Sequence, residues 1–400
     1  MRPLITATLS MIPFGTIYAF SVLLRPLETA LTLTRSDMSL VFGISTLAFT
    51  IGMNLSPWLY SRVTTGTSLV LAALLGASGL FLSSQAQGLI TLMLGFGVLF
   101  GLGGGISMTT SQQIANLAPV KNRGLVNGYI VSLLPLGAMI GGPLLSWSIQ
   151  QQGVRHALLN TSVAILLTSV LAAWVTGFNT IVKKQLSHQS SQDLNEKGLT
   201  GIQANSRFGI PNWALFINIS MVFFLAASAG LMVLSQSVGI LLSYGAINQL
   251  AVGATSFITG MIAAARLSGG WLVDKFTLTQ VMAGAHLWSL TGAMILSVWP
   301  HPITAVMGLM MVGMGYGFIS GSSAGGVAMY WRKQQFGLVA SRIYIGWCIA
   351  ALTLPVLAGL LFDWYNTYQY SIWIAAIANV LGIYLVKRNA KLVPAHKLSA

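Results

Sequence analysis

The feature that most limits what this chain can become is a succession of apolar runs, each long enough to cross about 30 Å of hydrocarbon as a helix. Twelve are present, at residues 4–25, 38–60, 68–85, 88–113, 123–147, 157–178, 211–234, 249–273, 279–298, 303–328, 336–361 and 369–387. In oil a helix pairs its backbone N–H and C=O groups within itself, which is why runs of this length fold as helices. A water-soluble chain is about one quarter charged. Here Asp, Glu, Lys and Arg make up 6% of the residues, against 55% apolar. The expected fold is an all-α membrane protein with twelve transmembrane helices.

A net charge of +14 would point to nucleic acid in a soluble protein, but here the basic residues follow the loops. An even number of spans puts both termini on one side. With that side cytoplasmic, fifteen Lys and Arg fall inside, against only Arg25, Arg35 and Arg155 outside. Positive charge gathers on the cytoplasmic side of membrane proteins, so both termini are expected there. Short loops fit a bacterial inner membrane. The first run is expected to be the first span and not a leader, because no small-residue cleavage pattern closes it. The single cysteine, Cys348, allows no intrachain disulfide.

The polar stretch "KKQLSHQSSQDLNEKGLTGIQANSR" (183–207) has no apolar periodicity and divides the spans six and six. The halves repeat. "WLYSRV" at 58–63 returns as "WLVDKF" at 271–276, "GLGGG" at 101–105 as "GMGYG" at 313–317, and "GLV" at 124–126 at 337–339, with offsets of 212 or 213. The chain therefore reads as two six-helix pseudo-repeats at 1–180 and 211–390, a cytoplasmic linker at 181–210 and a tail at 391–400. In transporters built of such repeats the site lies near the midplane between them. Glycine runs such as "GFGVLFGLGGG" suit close helix packing. A nucleotide loop would need a strand before it.

One residue is out of place. In "MIAAARLSGGWLVDKF" (261–276), Arg266 lies eight residues before Asp274, about 12 Å into a half-bilayer of about 15 Å. A guanidinium that deep costs about 2.5–3.5 kcal/mol. Arg342, nine residues past Lys333, reaches about 13 Å by the same rise. The acids Glu28, Asp37, Asp193, Glu196, Asp274 and Asp363 all fall at helix ends or in loops. Neither arginine thus has a counter-ion inside a span, and an anionic substrate would supply one. The planar fork of arginine matches a carboxylate through two parallel bonds, which makes a small mono- or dicarboxylate the expected ligand. The alternatives are backbone carbonyls opened by Gly269 and Gly270, or Asp274, for Arg266, and carbonyls, water or lipid phosphate for Arg342.

Tyr18, Tyr316, Tyr344 and Trp347 are candidates to pack against the carbon skeleton. Gln112 and Gln113 end an apolar run and read as interfacial caps. No Asp, Glu or Lys lies mid-span, and His286 is on a scaffold span, so exchange or facilitated diffusion is expected over a dedicated proton relay. Pro135, Pro143 and Pro355 each remove a helical bond and mark either hinges or static kinks. No HExxH, paired intramembrane acids, Cys–His or Ser–His–Asp set is present, so an enzyme is not expected. Neither is a cofactor or metal. The expected partners are a small organic anion and membrane lipid, with the protein a monomer. The rival function is an exporter of drugs or other organic solutes.

"GGWLVDKF" resembles the G-x-L-x-D-[RK] loop motif of the major facilitator superfamily, through Gly270, Leu272, Asp274 and Lys275; the first-half counterpart, "PWLYSRV", keeps only Arg62. A narrower resemblance runs through "GTIYAFSVLLRPLETAL", "TRSDMSLVFGIS", "KNRGLVNGYIVSLLPLGAMIGGPLL", "RLSGGWLVD" and "PVLAGLLFDWYNTYQY". These look like the oxalate/formate antiporter and monocarboxylate transporter group, in which the arginine of the eighth span is implied to bind the substrate carboxylate. That role carries to Arg266. Two positions depart from the pattern. Ile262 stands where proton-coupled members have aspartate, and Arg342 lies nearer the cytoplasm than the lysine of oxalate-type members.

Overall fold

The computed structural model describes residues 2–117, 123–177, 212–331 and 335–389. The linker at 181–210 and the tail at 391–400 lie outside the described residues. Among the described residues every regular element is helical. The first span is broken into α1 (Arg2–Met11), a 3-10 turn (Pro13–Ile17) and α2 (Phe20–Leu31), with a bend of 44°. Next come α3 (Arg35–Tyr60) and α4 (Thr65–Ser84). The short α5 (Leu89–Leu92) runs through a π-helical stretch, Met93–Phe100, into α6 (Gly101–Leu117). α7 (Arg123–Thr176) follows, then α8 (Trp213–Ser243), α9 (Asn248–Leu272), α10 (Leu278–Val298) and α11 (Pro302–Tyr330). The chain ends in α12 (Phe336–Leu352), α13 (Leu354–Tyr365) and α14 (Gln369–Asn389).

α7 has 54 residues, about 80 Å at the helical rise and far more than one bilayer. It breaks at Gly153, where φ 82° and ψ 166° leave the helical region, and so supplies the fifth and sixth spans. Ten helices are long and apolar enough to cross and the bent first pair makes an eleventh; with α7 counted twice, twelve spans result, matching the twelve apolar runs. Side chains such as Ile90, Leu167 and Trp174 stay exposed on the outside of the bundle, as a lipid-facing surface requires.

Local signals start several helices. Thr34 and Asp37 form a capping box on α3, and Thr277 and Gln280 form one on α10, each pairing N–H groups that the first turn would leave unbonded. Pro13 and Gly15 lie in the break of the first span. A Cβ on Gly15 would meet the Leu134 carbonyl and Gly137 of α7, so the missing side chain is what lets the two backbones touch.

The halves, α1–α7 and α8–α14, meet chiefly through α9 and α11 against α7 and through α3 against α12 and α13. The fifth span faces the eighth, and the second faces the eleventh, the pairing that an internal twofold repeat produces. Buried polar pairs pin helices within each half. Asn116 and Asn127 exchange side-chain bonds of 2.8 and 2.9 Å between α6 and α7. His286 Nδ1 donates to Asn379 Oδ1 at 2.9 Å between α10 and α14, which gives the one intramembrane histidine a structural partner within its own half.

Candidate functional site

Ile262, Arg266 and Gly270 recur every four residues on α9 and so share one face. That face turns inward: Arg266 is only 1% exposed. Its Nη1 donates to the carbonyl of Val131 on α7 at 2.7 Å. Its Nη2 donates to the hydroxyls of Tyr18 at 3.0 Å and Tyr316 at 2.7 Å. Both rings also lie under the guanidinium, 5.1 and 4.9 Å from Cζ to their centroids, within reach of cation–π attraction. Nε is buried without a partner.

Each partner follows from a local event in the chain. The Val131 carbonyl would ordinarily accept from the N–H of residue 135, and that residue is Pro135, which has none. Tyr18 caps the 3-10 turn that breaks the first span. It reaches the centre because the helix stops there. Tyr316 lies in "GMGYG" on α11, where Gly230 of α8 leaves room for its ring. Trp347 Nε1 donates to the Tyr316 hydroxyl at 2.8 Å. One phenol oxygen therefore takes both arginine and indole. Phe49, Phe223 and Tyr344 enclose the group by edge-to-face contacts of 5.4–5.8 Å among themselves and Trp347.

Among the described residues no carboxylate accepts from Arg266. Its acceptors are two phenols and one carbonyl, and the carbonyl belongs to the opposite half, not to the Gly269–Gly270 turn. Asp274 is committed elsewhere, accepting from the backbone N–H groups of Gly124 at 3.3 Å and Leu125 at 3.1 Å. A single carboxylate thereby caps the start of α7 from the other half. Beside it, a Cβ on Gly270 would strike the Gly124 carbonyl and Gly128, so the two helices cross backbone to backbone at this end.

The other expected residues spread out. Tyr18, Tyr316, Tyr344 and Trp347 gather around Arg266. Arg342 is half-buried and lies two residues before Tyr344, which on a helix is nearly the opposite side. Lys275 is exposed, and exposed Arg62 stacks 4.3 Å over the Trp58 ring. Pro135 and Pro143 leave α7 helical, whereas Pro355 follows a real break at Thr353 (φ −101°, ψ −94°). Gln112 and Gln113 are not interfacial caps. They are 0% and 2% exposed, because α6 continues to Leu117 beyond the apolar run.

Two small cavities lie between the halves on either side of Arg266. A cavity of ≈ 10 Å³ toward the Asp274 end is bordered by Gln112, Ser320, Ser323 and Tyr344; another of ≈ 10 Å³ toward the opposite end is bordered by Phe20, Ser39, Gln236 and Pro355. A larger apolar groove of ≈ 480 Å³ lies to one side, among Leu272, Phe276, Trp288 and Phe318 of the α9–α11 region.

The fold has counterparts in solved structures. The fold superimposes on the proton:xylose symporter XylE bound to 6-bromo-6-deoxy-D-glucose, at TM-score 0.75 and 17% identity over 97% of this chain and 95% of that one. A double-tryptophan variant of XylE gives TM-score 0.76 and 16% identity, covering 98% and 95%. FucP in the outward conformation gives 0.67 and 14%, covering 97% and 98%. At these identities the likeness is one of fold. No curated protein matches the sequence. Residues 4–325 match the Major Facilitator Superfamily profile, and with twelve spans in two repeated halves the chain belongs to that superfamily of secondary transporters.

Proposed function

We propose that the protein moves a small organic anion across the membrane by alternating access, holding the substrate carboxylate at Arg266. The observation that carries this reading is a fully buried guanidinium at the junction of the halves, paired with phenols and a carbonyl but with no acid. A buried charge is strongly disfavoured unless paired, and a carboxylate is the partner whose geometry fits it best. Tyr18 and Val131 come from one half, Arg266 and Tyr316 from the other. An anion that takes their place at the guanidinium releases bonds between the halves, which ties binding to rearrangement.

Exchange or facilitated diffusion is the favoured mode, in a monomer with both termini cytoplasmic in an inner membrane. The narrower likeness to oxalate/formate and monocarboxylate carriers points the same way. A neutral sugar, such as the ligand in the XylE structure, would leave the guanidinium without an anionic partner. The apolar groove beside α9 favours a second reading, an exporter of drugs or other organic solutes.

The test is a thermal-shift series on the purified protein with small mono- and dicarboxylates, beside Arg266→Gln. A shift in the wild type that the variant loses supports anion binding at this residue. An unchanged response in the variant, or a response only to cations and neutral amphiphiles, moves the exporter to first place.

A further inference from the structure

Next to the charged cluster is a second, uncharged group of buried polar atoms. Ser320 and Ser323 follow Tyr316 on α11 at four and seven residues, so the three share one face. The two serines, Tyr344 and Gln112 of α6 border one cavity of ≈ 10 Å³ between the halves. Gln112 is 0% exposed, and neither Nε2 nor Oε1 of its amide has a partner. The hydroxyls of Ser320, Ser323 and Tyr344 have none either.

Buried polar groups are nearly always paired, so this concentration needs an account. A water would fit the cavity, but it makes at most about four hydrogen bonds. The group offers three hydroxyls, an amide with two N–H donors and an amide oxygen, more than one water can satisfy. Among the described residues no charged side chain borders the cavity, so a second carboxylate or an amine finds no counter-ion among them. Hydroxyl groups, which donate and accept, match it.

We infer that this group is the second half of the substrate site and that the substrate is a polyhydroxylated monocarboxylate of the sugar-acid type. The inference rests on the reading that Arg266 holds a carboxylate. Ser320 and Ser323 lie about 6 and 10 Å along α11 from Tyr316, which suits a chain of about four to six carbons between carboxylate and distal hydroxyls. Gln112 belongs to one half and the serines to the other, so hydroxyls bound between them draw the halves together over the ligand.

The experiment compares D-gluconate, hexanoate and D-glucose as ligands in thermal-shift titrations of the full chain. It uses the wild type, Arg266→Gln, Gln112→Leu and, as a smaller change that a fold-sensitive site tolerates, Ser323→Ala. Gluconate is expected to bind about tenfold more tightly than hexanoate, and glucose not to bind. Gln112→Leu and Ser323→Ala should each weaken gluconate severalfold to tenfold, the range of one lost hydrogen bond, and leave hexanoate unchanged. Equal affinity for gluconate and hexanoate, loss of both in equal measure in the Gln112 and Ser323 variants, or no response to gluconate overturns the inference while leaving the Arg266 reading intact if hexanoate still binds. A gluconate response that survives Arg266→Gln overturns the carboxylate reading itself.

Discussion

The Val131 carbonyl accepts a 2.7 Å hydrogen bond from Arg266 across the junction of the halves, and it is open to do so because the residue one turn on is a proline. Pro135 thus positions the arginine without touching it. The proline and the charged residue, far apart in sequence, act on one oxygen atom.

Pro135→Ala returns an N–H to the fifth span and turns the Val131 carbonyl back toward a helical partner. Arg266 then keeps its phenols but holds the opposite half less firmly. A charge-assisted bond of this kind contributes about 1.5–3 kcal/mol, and part of that no longer opposes an incoming anion. Anion affinity should rise roughly fivefold, read as the ligand concentration at half-maximal thermal shift. An unchanged affinity would mean that the carbonyl does not compete with substrate.

Tyr316→Phe removes the oxygen that takes both Arg266 Nη2 at 2.7 Å and Trp347 Nε1 at 2.8 Å. Two buried donors are left without their acceptor, at a cost of about 2–4 kcal/mol. The melting temperature should fall accordingly. An anion should then restore part of the loss, giving a larger ligand-induced shift than in the wild type, because it supplies the arginine with the acceptor that was removed. A loss that no anion repairs would assign the tyrosine to packing alone.

The spans were legible because length and hydropathy decide them and little else competes in oil. Tyr18, Tyr316, Tyr344 and Trp347 were legible as central candidates for a related reason, few polar side chains being available at that depth, but the hydrogen bonds that tie Tyr18 and Tyr316 to Arg266 and Trp347 to Tyr316 were not. Val131 was not, since its contribution is a backbone oxygen, although a proline four residues later is the signal that marks it. Gln112 was read as a helix end because the apolar run stops there, while the helix itself continues another turn. A polar residue that extends a helix inside the bundle and one that ends it at the surface look alike in hydropathy. The break in α7 was legible in composition, since Gln150, Gln151, Gln152, Arg155 and His156 fall between the apolar runs 123–147 and 157–178; only its placement at Gly153 comes from the backbone angles.

Arg342→Gln tests whether one arginine or two hold the substrate. The two-residue step to Tyr344 turns Arg342 away from the aromatic cluster. Anion-induced stabilisation should stay within about twofold of wild type, less than the loss of one ordinary hydrogen bond, where Arg266→Gln abolishes it. A dicarboxylate response lost in both variants would show that Arg342 rotates to the axis in the ligand-bound state.

Asp274→Asn addresses the closure at the other end of the same helix. The carboxylate accepts from Gly124 and Leu125 N–H at the start of α7, where the helix dipole favours negative charge. The amide keeps one acceptor, loses the other, and carries no charge. The expected loss is about 1–2 kcal/mol, enough to shift the balance about tenfold toward conformations open at this end. Val327 borders the cavity there and is 1% exposed, so Val327→Cys in a Cys348→Ser background reports the opening by its alkylation rate. Faster alkylation with Asp274→Asn is the expected result. An equal rate would place the closure in the Gly124–Gly270 backbone crossing alone, and Gly270→Ala should then raise the rate where the charge change does not.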